Sequence, residues 1–188
     1  MNLTRLALAF LIAFAPVATP AQTAPAPIAQ SAATGTAHSA WWAEQRWRYR
    51  DDAAAEEAYR ALAVRQSAWP EWHQNHVVWL PRGTRIQIAL APGQPVDRPG
   101  AFATFDTIPD VAWVRRVLAV KVAWKPAIDR VVTYEVAEPL PADTGTVGPQ
   151  IDEAGPAYLP GGGSQLEMMT IAADRMRYLK VVEVRPIR

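Results

Sequence analysis

The stretch Tyr158-Leu159-Pro160-Gly161-Gly162-Gly163-Ser164-Gln165-Leu166-Glu167 constrains this chain more than any other. Three consecutive glycines free the backbone and leave no side chain to hold a neighbour or ligand away. A run of strand formers follows at once. With a period of two, Leu166 and Met168 face one side of that strand, and Gln165 and Glu167 face the other. A bare loop thus delivers two polar side chains onto one face of a sheet. The same residues also describe a glycine-rich turn before a surface strand, and both readings stay open at this level.

The chain has 188 residues, eight of them Trp, enough for one domain with a real core. Its formal charge is +1, and no basic run stands out, which argues against nucleic acid and anionic membrane surfaces as partners. Near the N-terminus Arg5 precedes an apolar run from Leu6 to Ala15, followed by small residues at Thr19-Pro20-Ala21 and Ala24-Pro25-Ala26. This is the layout of a secretory signal peptide over residues 1–26, and the run is too short for a comfortable membrane span. The expected location is secreted or periplasmic, with no stable span after cleavage. There is no cysteine, which excludes a disulfide framework and a thiol nucleophile, so the fold must hold by packing.

Residues 27–39 are rich in Ala, Pro, Thr, Ser and Gln and read as a linker without a core. A helical segment is expected over residues 40–75, with Ser39 as a cap, Asp51-Asp52 capping a second helix and Pro70 ending it. Residues 76–188 read as a domain of their own. Strands are expected at His76–Leu80 and Thr84–Leu90, joined as a hairpin through Pro81-Arg82-Gly83, then at Phe102–Phe105, Arg130–Ala137, the Gln165 stretch and Tyr178–Val184. A helix should run from Asp110 to Ala119, opened by Pro109 in its first turn. Residues 139–163 read as loop. Helices first and strands after predict an α+β fold with a mainly antiparallel sheet.

Several constellations could carry chemistry. His73 and His76 have a spacing that zinc sites use, but without cysteine or a carboxylate at diagnostic spacing they fit polar residues at a helix-to-strand junction better, and no metal is expected. Trp41, Trp42, Trp47, Trp69 and Trp72 crowd the N-terminal half; exposed they would stack sugars, and at helical spacing they are core. Ser39, Ser67 and Ser164 lack a nucleophile-elbow context. The loop Pro92 to Gly100 sets Arg98 among turn residues, where a guanidinium and backbone donors could meet an anion.

Taken in order, Tyr134-Glu135-Val136, Pro139-Leu140-Pro141, Gly145 and Gly161-Gly162-Gly163-Ser164-Gln165 resemble the tuberculosis necrotizing toxin family of NAD glycohydrolases. Asp97-Arg98-Pro99-Gly100, Arg116-Val117-Leu118 and the closing Tyr178 to Val184 are similar to further segments of that family. The resemblance covers about Leu90 to Val184 and implies a fold related to ADP-ribosyltransferases. It also implies that NAD is the substrate, cleaved at the nicotinamide–ribose bond without a further cofactor. By that resemblance Gln165 sits beside the ribose as a catalytic-site residue, and Arg98 holds the phosphates with Arg116 as a second candidate. Tyr134, Gly162 and Gly163 line the ligand, and an immunity protein is an admissible partner. Pro99 stands where the family has an aromatic residue, and no histidine follows Leu90. Glu167, two residues beyond Gln165 on the same face, could stabilise a cationic sugar. That spacing also resembles arginine-directed ADP-ribosyltransferases, so transfer to a protein stands beside hydrolysis. A non-catalytic binding module that keeps the fold is the third reading.

Overall fold

Two short helices pack against a β-hairpin at one end of the fold, and two linked antiparallel sheets build the rest. The computed structural model describes residues 37–154 and 157–188; the expected signal peptide and most of the expected linker lie outside them. Helix α1 spans Ala37–Gln45, and a 3-10 turn at Arg46–Arg48 separates it from α2, Asp52–Ala63. Asp51 caps α2 as its sequence suggests, its carboxylate accepting from Ala54 N at 2.8 Å. Ser39 lies inside α1 rather than before it, and α2 stops seven residues short of Pro70. Trp41, Ala55 and Leu62 pack on Ile151, with Tyr49, Tyr59 and Tyr158 around them. That core binds the helices to the hairpin of β6 (Gln150–Asp152) and β7 (Ala157–Leu159).

The remaining strands are β1 (Val77–Leu80), β2 (Arg85–Leu90), β3 (Phe102–Ala103), β4 (Arg130–Val136), β5 (Leu140–Thr146), β8 (Ser164–Met168) and β9 (Leu179–Pro186). One sheet has the order β1-β5-β8-β3 and the other β2-β4-β9, all antiparallel. The expected α+β class is observed. Helix α3 (Val111–Val117) is capped by Asp110, whose carboxylate accepts from Trp113 N at 2.7 Å, so Pro109 precedes the helix. A 3-10 turn at Ala172–Asp174 and a one-turn helix α4 (Arg175–Tyr178) lead into β9.

Two expectations fail in informative ways. β1 and β2 do not form a hairpin: β1 pairs with β5 and β2 with β4. Gly83, at φ 84°, donates to Val136 O at 2.8 Å, and Val136 N donates to Thr84 O at 2.8 Å. The ladder therefore continues round a corner, and Pro81-Arg82-Gly83 carries the chain from one sheet to the other. Residues 139–163 are not loop but hold β5, β6 and β7. Pro141, Asp143 and Gly145 give β5 the look of a turn, yet it lies between β1 and β8. Its inner residues Leu140 and Ala142 join Leu166, Met168, Ile86, Ile88, Leu90 and Val132 in the main core. Fully burying each large member contributes about 2 kcal/mol, and this tertiary gain outweighs weak local strand propensity.

The sheets also meet at β3. Gln87 N donates to Thr104 O at 2.8 Å, and Thr104 N to Gln87 O at 3.0 Å. By strand alternation the side chains of Gln87, Thr104, Phe102, Gln165, Glu167, Asp143 and Gly145 then share one face. That face is not bare. Residues 64–76 cross it as a strap, and α3 covers its other end.

Candidate functional site

A cavity of about 230 Å³ opens between this shared face and α3. Gln87 and Ala89 of β2, Phe102 of β3 and Gln165 of β8 line it from the sheets. Val114 and Leu118 of α3, with Val120, Trp124 and Lys125 beyond it, line it opposite. Ala68 of the strap closes one side, and Gly100 and Ala101 another. The loop after α3 holds its shape through Arg115, whose guanidinium donates to Val120 O at 2.9 Å, Lys121 O at 3.1 Å and Lys125 O at 2.6 Å. Ala119 takes a left-handed φ of 47° to start that loop. A non-glycine residue there costs about 1 kcal/mol, offset by the Arg115 clamp.

The lining is apolar except for Gln87, Lys125 and Gln165, and two of those three are satisfied. Gln87 Oε1 accepts from Ile108 N at 2.8 Å and its Nε2 donates to Thr133 Oγ1 at 3.2 Å. Lys125 Nζ donates to Ala89 O at 2.5 Å. Burial first, and Arg115 second, hold the Lys125 ammonium below the usual lysine range. Gln165 differs. Its side chain is 5% exposed, and its amide nitrogen has no partner among the described residues. A buried amide donor left without an acceptor costs about 1–3 kcal/mol. Such an atom on a cavity wall is a place where a ligand oxygen or a water would be held.

Glu167 lies one pleat further along β8. Trp69 Nε1 of the strap donates to its Oε2 at 3.4 Å. Trp69 stacks on His73, centroids 3.9 Å apart and rings 8° from parallel. His73 Nε2 sits 2.9 Å from Asp143 Oδ2, and since a carboxylate only accepts, that nitrogen carries the proton. Asp143 Oδ1 also accepts from His76 N at 2.7 Å. Burial pushes the Asp143 carboxyl up, but the bonds from His73, His76 and Thr144 outweigh it and hold the group below the usual range. The histidine pair therefore serves a carboxylate. Among the described residues no group of three His, Asp or Glu is placed to hold a metal ion.

The glycines are explained mainly by packing. Gly161 (φ 72°) donates to Arg116 O at 3.1 Å, and a Cβ on it would lie 2.7 Å from Val147 O and Gly148 O. Gly163 donates to Val117 O at 3.1 Å, and a Cβ there would meet Val117 Cγ1 at 2.9 Å. Gly162 (φ 93°) has open space around it. The triple glycine thus docks β8 against the end of α3 and the turn after β5. Gly161→Ala is expected to destabilise by about 2–4 kcal/mol, from backbone clash added to left-handed strain, and Gly162→Ala by only about 1 kcal/mol. Urea denaturation of the two variants checks the ranking.

The other expected site residues are scattered. Tyr134 is fully buried in the main core, and its hydroxyl donates to Val96 O at 2.7 Å. Burial pushes this phenol up to about 12. It anchors the 92–100 loop from beneath and does not line the cavity. Arg98 is exposed on that loop, its guanidinium without a hydrogen bond or ion pair among the described residues, two residues from the cavity wall at Gly100. Arg116 lies two positions from both Val114 and Leu118, on the α3 face turned away from the cavity, and is exposed. Two other guanidinium groups meet the Arg98 loop: Arg175 Nη1 donates to Pro99 O at 2.9 Å, and Arg130 Nη2 donates to Gln94 O. Sequence reasoning missed Arg175 and Lys125, and it named Trp69, His73 and His76 without joining them into a strap across the sheet face. Of the crowded tryptophans, Trp41 is core at 2% exposed, while Trp47 and Trp72 are exposed at 78% and 66%.

No protein-family model matches the chain, and no curated protein matches it. Among solved structures it is similar to Tne2, solved in complex with Tni2, at 26% identity and a TM-score of 0.51, over 64% of this chain and 100% of that one. It is also similar to Tse6, solved in complex with Tsi6, at 16% identity and a TM-score of 0.42, over 79% and 92% of the two chains. A third similarity is to Rhs1-CT in complex with its cognate immunity protein RhsI1, at 16% identity and a TM-score of 0.35, over 60% and 80%. The last two are too loose to bear on function. The first places this α+β fold with that of Tne2, which it matches along that chain's whole length.

Proposed function

We propose that this chain is an exported toxin or effector domain that hydrolyses NAD at the nicotinamide–ribose bond. The observation that carries the reading is the orphaned amide of Gln165, buried on a cavity wall at the residue that the family resemblance assigns to the ribose. The reaction needs little proton chemistry. Nicotinamide leaves as a neutral molecule from a cationic ring, taking the electrons of the breaking C–N bond. Water then adds its oxygen to the anomeric carbon and releases a proton to solvent. The protein must hold the dinucleotide, orient the ribose and stabilise an oxocarbenium-like transition state with fixed dipoles and charge. In this reading Gln165 donates to a ribose hydroxyl, Glu167 faces the developing cation, and the unpaired Arg98 guanidinium meets the phosphates outside the cavity. The dinucleotide would extend over the rim, since 230 Å³ suits a ring and part of a sugar.

Transfer of ADP-ribose to a protein is the second reading, favoured by Glu167 sharing a face with Gln165. The similarity to Tne2, solved with Tni2, supports a dedicated protein partner, and an immunity protein is the class proposed. Secretion or periplasmic residence belongs to the same proposal. Purified protein without residues 1–26 is expected to release nicotinamide from NAD, measured by chromatography. Absence of both turnover and calorimetric NAD binding overturns hydrolysis and transfer alike. Label appearing on a second protein in place of free ADP-ribose selects transfer.

A further inference from the structure

We infer that Trp69, which lies outside the stretch resembling the toxin family, is a positioning residue that fixes the Glu167 carboxylate for the reaction. The inference rests on the hydrolase reading. It begins from a conflict in the sheet. Asp143 and Glu167 are direct partners across the antiparallel β5–β8 pair, so two carboxylates stand side by side on one face. Like charges in that position repel and destabilise. The strap resolves the conflict with two stacked rings: His73 gives its N–H to Asp143 at 2.9 Å, and Trp69 gives its N–H to Glu167 at 3.4 Å. Each carboxylate receives one ring donor, Asp143 taking a further bond from His76 N at 2.7 Å, and each ring holds the other in plane.

Trp69 is itself held from several directions. Arg65 Nη2 donates to its carbonyl at 2.5 Å, and the Phe102 ring meets its edge at 6.3 Å and 63°. Phe102 is also the partner of Glu167 across β3–β8. Gly145, opposite Gln165 in β5, makes room for the stack: a Cβ there would lie 3.0 Å from the His73 ring and 3.1 Å from Trp69. A tryptophan braced this firmly, with its one polar atom spent on the carboxylate proposed to face the cation, sets which oxygen of Glu167 stays free. The bond is long for N–H···O, so the bracing of the ring by His73, Arg65 and Phe102, more than the strength of the bond, holds the donor against Glu167.

The decisive variant is Trp69→Phe, which keeps an aromatic ring on His73 and removes the indole donor together with one of its two fused rings. It is expected to lower kcat about tenfold with KM for NAD changed less than twofold and the thermal midpoint little moved. A purely structural role would move the midpoint and scale kcat with the folded fraction. An unchanged or higher kcat overturns the inference, a higher one showing that the ring covers the site. A second readout does not need turnover: the Trp69 indole proton resonance is expected to shift in Glu167→Gln by NMR. An unmoved resonance in an active wild-type protein overturns this role alone. A wild-type protein without turnover overturns the hydrolase reading, and this role with it, whatever the resonance does.

Discussion

Asp143→Ala is expected to lower the unfolding free energy by about 3 kcal/mol at neutral pH. The carboxylate accepts from His73 Nε2 at 2.9 Å and from His76 N at 2.7 Å, and its side chain is only 10% exposed. Hydrogen bonds to a charged group are worth about 1.5–3 kcal/mol, and removing the acceptor leaves two donors without one. The loss also frees the strap at its His73 end, where the Trp69 stack depends on it. The pH dependence has a definite sign. The folded-state pKa of Asp143 is depressed, so its contribution is fully present above the unfolded value of about 4 and is lost as pH falls through the lower folded value. Urea denaturation of both proteins should therefore show a gap that is constant from pH 5 to 7 and closes below pH 4. A gap that stays open in strong acid would mean that Asp143 acts through packing and not through its charge.

What the sequence made legible follows the range of the interaction responsible. Asp51 and Asp110 cap their helices through bonds to residues three positions on, and such signals are local. The alternation of Leu166 and Met168 against Gln165 and Glu167 is likewise local; Leu166 and Met168 enter the main core, while the burial of Gln165 on the opposite face depends on the elements packed over it. β5 was illegible because its residues answer to partners far away in the chain. Gly145 is small for the His73–Trp69 stack, and Asp143 is charged for His73. Both look like turn residues until the strap is in place. The strap in turn has no periodicity: it is held by Gln150 Nε2 on Ser67 O at 2.6 Å, Gly148 N on Ala68 O at 2.8 Å and Lys121 Nζ on Arg65 O at 2.8 Å. Three long-range anchors on backbone carbonyls leave no pattern in the segment they hold. For the same reason the family resemblance, which begins near Leu90, carries nothing about the strap, whose Ala68 closes one side of the cavity.

Gln165→Leu is expected to separate stability from function more sharply than any other change. Leucine is apolar and one atom shorter than glutamine, and it removes the amide nitrogen that has no acceptor among the described residues. Taking away an unsatisfied buried donor recovers about 1–2 kcal/mol, and the neighbouring wall of Val114, Leu118 and Phe102 is already apolar. The variant should therefore melt a few degrees above the wild-type protein. NAD consumption should fall at least a hundredfold, because the donor that would hold the ribose is gone, and the Gln87 and Lys125 nitrogens on the same wall are held toward Thr133 and Ala89. Scanning calorimetry and a nicotinamide-release assay on the same preparation test both halves. A destabilised and inactive variant would mean that Gln165 is a structural residue with a bridging water. A stabilised variant that still consumes NAD would move the reacting centre elsewhere on the face. Stabilisation together with loss of turnover is the signature of a polar group kept at a cost to the fold because a ligand completes it.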